Sequence, residues 1–540
     1  MVVALGAAVL ATGCIKETFP TSGATQEQIS QASSVLEATV GAIPVNMAYP
    51  YSAFGSSANY GFDFGYPGLM CALDACTGDV ICTAGDDYAG YDWFYYWERG
   101  TMMGPTMGLC DFPWNTYFSF MKSCNDVIGL VDTSKTLTSS EKLSLGVAKA
   151  FRATFYLDMA RQYEALEVRD EAASSYDISE VRGLTVPIIT EKTTEAMARN
   201  NDRASRQKMF EFILKDLDDA ESLLDGLTVK KTMPSKAVVY GLKARAYLWL
   251  GELELDGSSY YEKAANYADL AIKESKATIM SQSEYLNAIS GFNTANNSWM
   301  WYVPQTTEGI TNLVNFIAWR SSEATWGYGG KFVFQGVTNN FYNRMSEHDW
   351  RRKAFVGANP AAWYKQYGYL TNYSEEEFLA TVPPYANFKF HPANGNTVSY
   401  TIGNVTDVPL MRVEEMYFIK AEALAHAGKE SEAVSEFIDF MVTRNPKYSI
   451  EGVTDLVDEI IFQKRVEFWG EGIVFYDFKR LDMGINNGYS GTNVPSDSRV
   501  NVEGRAPWWN FCIPESETYQ NTALSGKNNP SPDGLIKLWK

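Results

Sequence analysis

The amino-acid sequence predicts a mainly α fold, in which stacked tetratricopeptide-type helix pairs lie beside a loop-rich half carrying short strands. Three observations predict it. In residues 413–428, Met416, Ile419, Ala423 and Ala427 recur at helical spacing, with Val413, Tyr417 and Leu424 beside them. Gly428 stops that helix, and a second follows with Ala433, Val434, Phe437, Ile438 and Met441 on one side. Ala421 and Ala433, with Leu424 and Phe437, have the spacing of a helix hairpin whose backbones approach closely. The second observation is a similar pair at 235–274, with Ala244 and Tyr247 on one helix and Ala264, Ala268 and Ala271 on the next. The third is a change of rhythm between 296 and 403, where glycine, asparagine and aromatics dominate and only short strands fit, such as 299–303 and 331–334. One helix pair cannot bury its apolar face alone, so the pairs are expected to stack into a solenoid.

In chain order, the sequence opens with MVVALGAAVLATGC, an apolar run too short to span a bilayer, which reads as the core of a secretory signal. Ala11-Thr12-Gly13-Cys14 is similar to a bacterial lipobox, in which the cysteine becomes the lipidated first residue. No Lys or Arg precedes the run, and the leucine sits one place early, at Leu10. Residues 15–25 are polar and read as a flexible tether, and residues 26–540 as a single domain. Within it a first helix is expected at 26–40. An irregular stretch at 44–112 follows, with YDWFYYWERG (91–100) read as loop with short turns. Helices are then expected at 114–131, 140–163 and after Ser205, a plausible N-cap. The helix pairs thus occupy about 114–274 and 412–480, and the loop-rich part about 44–112 and 296–403.

Lys and Arg total 46 against 65 Asp and Glu, a net charge of −19. Nucleic acid and anionic membrane surfaces both demand a basic face, so this balance argues against either as partner. Three histidines, His348, His391 and His426, are scattered without metal-ligand spacing, and no EF-hand-like loop appears. Apart from Cys14 there are six cysteines, five of them between 71 and 124. Local disulfides, free buried thiols and a metal cluster all remain open for them, although no C-x-x-C pair occurs.

The helix at 412–423, Arg412, Glu415, Tyr417, Ile419, Ala421, Glu422 and Ala423 in "R-x-x-E-x-Y-x-I-x-A-E-A", resembles the hallmark helix of the SusD/RagB outer-membrane nutrient-binding lipoproteins. AKAFRATFYLDMARQY, GLTVPIIT and the helix that follows Ser205 resemble further family segments, as does FYNRMSEHDWRR with Asp349 and Arg351 or Arg352 in its charged positions. In 460–480, Arg465, Glu467, Glu471, Gly472, Asp477 and Arg480 match, while Lys464 and Ile473 stand where the family has Glu and Arg. The tail at 511–530 completes a resemblance that spans nearly the whole chain in order. It implies a non-catalytic, lipid-anchored protein on the outer surface of a Bacteroidetes outer membrane. Such a protein binds oligosaccharide, caps a SusC-like TonB-dependent transporter and uses no cofactor or metal. A peptide-binding, RagB-like receptor and a glycoside hydrolase are the alternatives.

A sugar site wants flat rings for the C–H faces of a pyranose and neutral polar groups for its hydroxyls. With aromatics at 14% of residues, a ring-rich core and an exposed binding surface are both open. Two stretches have that character: Trp93, Tyr95 and Trp97 in the first, and Trp319, Arg320, Trp326 and Tyr328 in the second. These seven are the candidate ligand-binding residues. Trp299 and Trp301 alternate as in a strand and are assigned to the core.

Overall fold

The computed structural model describes residues 33–48, 61–84, 93–253, 258–307 and 314–540. Cys14 and the expected tether lie outside the described residues. No helix among the described residues is long and apolar enough to cross a membrane.

The first helix, α1 (Ser33–Met47), runs on past Val40. α2 (Tyr66–Ala75), β1 (Ile81–Ala84) and α3 (Trp93–Arg99) follow, so part of the stretch expected to be loop is helical. In α3, Phe94, Trp97 and Glu98 fall one turn apart and all are buried. Flanking tyrosines fill the remaining positions with rings and hide that period.

Five longer helices come next. They are α4 (Gly108–Leu130), α5 (Ser139–Tyr163), α6 (Arg206–Leu223), α7 (Lys236–Leu253) and α8 (Ser258–Ser275). Each packs on the next. Thr138 opens α5 with a reciprocal capping box to Glu141, and Ser205 caps α6 by accepting from the Lys208 N–H at 3.3 Å. The chain then crosses the loop-rich half through β2 (Trp299–Pro304), α9 (Phe316–Arg320), β3 (Phe334–Gly336) and β4 (Asp407–Arg412). β2 pairs antiparallel with β4, and β1 with β3. The expected strand at 331–334 is therefore displaced toward β3. β4 feeds α10 (Val413–His426), which packs on α8 and so continues the stack into α11 (Glu430–Met441) and α12 (Leu456–Glu467). Ala244, Ala264, Ala268, Ala271, Ala421 and Ala433 are all fully buried between these helices. Gly428 takes φ 75°, the left-handed cap that ends a helix without a Cβ clash.

The charged motif residues prove to be the joint between the helices and the loop-rich half. Arg412 is 1% exposed and donates to Glu471 at 2.8 and 2.9 Å and to Glu467 at 3.2 Å. Glu467 also receives Arg444 at 3.0 Å and Arg351 at 3.1 Å. Glu471 receives Lys389 at 2.5 Å, and Asp349 pairs with Arg351 at 2.6 Å. Arg351, not Arg352, is thus the buried partner in the FYNRMSEHDWRR segment. Burial alone would raise the Glu467 carboxyl, but Arg444, Arg412 and Arg351 outweigh it and hold its pKa well below the carboxylate range. Lys464 pairs with Asp477 at 2.8 Å, while Ile473 packs beside the cluster of Phe418 and Phe468.

Cys71, Cys76, Cys82, Cys110, Cys124 and Cys512 are free and buried, which settles them as core thiols. Among the described residues no group of His, Cys, Asp and Glu could hold a metal ion.

Candidate functional site

The two ring-rich stretches do not form one exposed platform. Trp97 and Trp319 are each 2% exposed, with ring centroids 6.4 Å apart. Trp319 also packs 5.2 Å from Tyr328, itself buried, and its indole N–H donates to the Gly61 carbonyl at 3.1 Å. Arg320 is fully buried, pairs with Asp74 at 2.5 Å and donates to Gln335 at 2.7 Å. Burial pushes the Asp74 carboxyl up to about 7, against the pull of Arg320. The expectation that Trp97, Trp319, Arg320 and Tyr328 face a ligand is therefore corrected. Runs such as FIAW and WFYYW have too little polar surface to stay in water, and they fold inward as short helices. Trp299 and Trp301 are buried, in line with their core assignment. Tyr95 is half-buried, with its hydroxyl 3.5 Å from Cys82 Sγ. Trp93 opens α3, and its side chain lies outside the described residues.

Trp326 is the described member of the seven, besides Tyr95, that keeps contact with solvent. Its loop is pinned by Thr325, whose N–H and hydroxyl both donate to the Thr397 carbonyl, at 3.2 and 2.6 Å. Its indole N–H donates to Asn404 at 2.9 Å. Gly403 makes room for the ring, since a Cβ there would lie 2.2 Å from Trp326 Cη2. On the same 396–404 segment, Val398, Tyr400 and Ile402 are 79%, 39% and 44% exposed. Three apolar side chains thus meet solvent within five residues of chain.

The neighbouring segments are tied to this loop through Glu323. Its buried carboxylate accepts from the Thr371 hydroxyl, the Asn372 N–H at 2.5 Å and the Asn372 amide at 3.1 Å, and it contacts His391 Nδ1 at 2.7 Å. Burial would raise its pKa, but His391 and these donors reverse the shift and hold it low. The Asn372 amide also donates to the Ala288 carbonyl at 2.7 Å. Gly395, at φ 63°, lies so close that a Cβ would meet Asn372 Oδ1 at 2.5 Å and Ile289 Cδ1 at 2.7 Å. Four loops, around 288, 325, 371 and 396, are thereby held as one surface. Tyr369 and Ile289, 69% and 52% exposed, stand on it.

Tyr369 and Tyr400 were not among the sequence-derived candidates. Their signal is modest: Tyr400 is a solitary ring in NTVSYTIGN, and Tyr369 is one of several rings in WYKQYGYLTNY, with nothing in the pattern to single it out. Chemically the face offers flat rings and neutral hydroxyl and amide groups on a braced scaffold. Its central carboxylate is sealed below the surface by its donors.

Residues 302–531 match the family model described as the SusD family. Residues 88–248 match a model described as "Starch-binding associating with outer membrane". The chain is 22% identical over 452 residues to SusD-like protein P2 of Formosa agariphila, covering 79% of this chain and 82% of that one. Among solved structures, a SusD-like carbohydrate binding protein from Bacteroides vulgatus superposes with a TM-score of 0.70 at 21% identity, over 92% of this chain and 98% of the other. Surface glycan-binding protein A from Bacteroides thetaiotaomicron, in complex with laminarihexaose, gives 0.64 at 16% identity, over 92% and 99%.

Proposed function

The chain is a SusD-like protein, and from that premise we propose that it is a cell-surface glycan receptor of the outer membrane. Lipidated at Cys14, it binds oligosaccharide on the face built around Trp326 and Tyr400 and passes it to a SusC-like TonB-dependent transporter. The observation that carries this reading is the pairing of water-accessible rings with uncharged polar loops that are held from beneath by Glu323. Pyranose C–H faces stack on such rings, and their hydroxyls exchange water for Thr, Ser and Asn partners. A glycanase would need two carboxylates flanking the sugar at roughly 5–10 Å. Glu323 is buried and committed to its donors, so this face supports binding rather than hydrolysis.

The test is affinity electrophoresis and calorimetry of the Trp326→Ala and Tyr400→Ala variants against neutral oligosaccharides. Loss of about 1–3 kcal/mol in either variant, with the fold intact, is the expected outcome. Unchanged affinity in both would end this site assignment.

A further inference from the structure

Next to the Trp326 loop lies an open groove of about 670 Å³, lined in part by Gln282, Ser283, Asn287, Ile289, Tyr369 and Leu370. We propose that this groove is an additional sugar subsite, selective for an uncharged stretch of oligosaccharide, with Tyr369 as its stacking ring. The inference rests on the glycan-receptor reading and deepens it by naming the ligand class.

The volume is in the range of small-ligand sites, which run from roughly 300 to 1,000 Å³. Leu286 and Leu370 form a buried apolar floor, at 5% and 6% exposure, while the Tyr369 ring stands out at 69%. A tyrosine so exposed makes little of the core, yet its loop is held firmly. The Thr371 hydroxyl and the Asn372 N–H donate to Glu323, and the Asn372 amide ties the loop to Ala288 on the opposite wall. A ring presented at the tip of a braced loop loses little conformational entropy on binding.

The polar lining is made of hydroxyls and amides. Asn287 turns its Oδ1 to the N–H groups of Ile289 and Ser290 at 2.9 and 3.0 Å, which leaves its amide N–H groups as donors for a ligand. Gln282 is exposed beside it. No Lys, Arg or His lines the groove, and the adjacent Glu284 carboxylate is held by Ser281 at 2.7 and 2.8 Å. A uronic or sulfated chain would thus meet a negative neighbour with no cation to offset it, on a protein of net charge −19. A neutral hexose chain meets no such penalty.

Calorimetry of the full chain with laminarihexaose, maltohexaose, xylohexaose, mannohexaose and hexagalacturonate tests this, using wild type, Tyr369→Ala, Tyr369→Phe and Trp326→Ala. Tyr369→Ala is expected to weaken the tightest neutral sugar about five-fold or more, and Tyr369→Phe to restore it, since the ring alone is required. Equal binding by wild type and Tyr369→Ala overturns the subsite, and tightest binding of hexagalacturonate overturns the neutral selectivity. If Trp326→Ala still loses affinity in either case, the receptor reading stands while this inference falls. Absence of binding by wild type to all five sugars ends both.

Discussion

Trp319 and Trp326 are seven residues apart in one ring-rich stretch, and the structure gives them opposite fates. Replacing each by alanine separates packing from binding. The Trp319 ring is 2% exposed and touches Phe64, Trp97 and Tyr328 at centroid distances of 6.0, 6.4 and 5.2 Å. Truncating such a ring costs about 3–5 kcal/mol. The Gly61 carbonyl loses its donor as well, for about 1 kcal/mol more. For a chain of this length the unfolding entropy is roughly 1 kcal/mol per degree, so Trp319→Ala is expected to melt about 4–6 °C lower. Trp326→Ala loses the Asn404 bond and part of a half-buried ring, for about 2–3 kcal/mol and about 2–3 °C. In sugar affinity the order reverses: Trp326→Ala loses about 1–3 kcal/mol, and Trp319→Ala little below its melting point. Differential scanning calorimetry and titration of both variants provide the readouts. A Trp319→Ala protein that melts with wild type yet fails to bind sugar would refute the burial argument.

Three further outcomes are expected. Glu467→Gln leaves Arg351, Arg412 and Arg444 facing a neutral amide, and chemical denaturation is expected to show a loss of about 3–5 kcal/mol. Acid should act on this joint and on two further buried carboxylates, Glu422 and Glu323. Burial would raise the Glu422 carboxyl, but Arg480 and His426 pull it down to about 2, and Glu467 and Glu323 are also held low. Carboxylates depressed in the fold stabilise it above their unfolded pKa near 4.5. Near-UV circular dichroism should therefore report lost tertiary structure as pH falls from about 4.5 toward 2. Finally, Gly403→Ala would put a Cβ 2.2 Å from Trp326 Cη2 and 2.7 Å from the Asn396 carbonyl oxygen, so fluorescence should show a displaced indole, and calorimetry a weaker sugar complex together with a lowered melting point.

The solenoid was legible because its signal is local. Alanines at 244, 264, 268, 271, 421 and 433 recur with the helical period, and each is buried where two helices meet. The charged motif residues were legible as a pattern but not as a joint. Arg412 meets Glu467 and Glu471 across more than fifty residues of chain, a pairing that periodicity does not encode. The site was the least legible part. Ring density marked Trp97, Trp319 and Tyr328, but a dense apolar run is driven inward by the same burial energy that builds the core. Of the rings on this face that stay in water, Tyr400 stands alone among polar residues and Tyr369 is hidden among Tyr364, Tyr367 and Tyr373, and one tyrosine carries little weight in a chain with 32 of them. α3 was missed for a related reason, since its tyrosines mask the turn that buries Phe94, Trp97 and Glu98.

The proposed receptor holds sugar without cutting it. Titrating the full chain with the neutral hexasaccharides, and assaying the same samples for new reducing ends, tests that claim most directly. Saturable binding of at least one sugar with no rise in reducing ends is the predicted result; accumulating reducing ends, or no heat of binding from any of them, would contradict it.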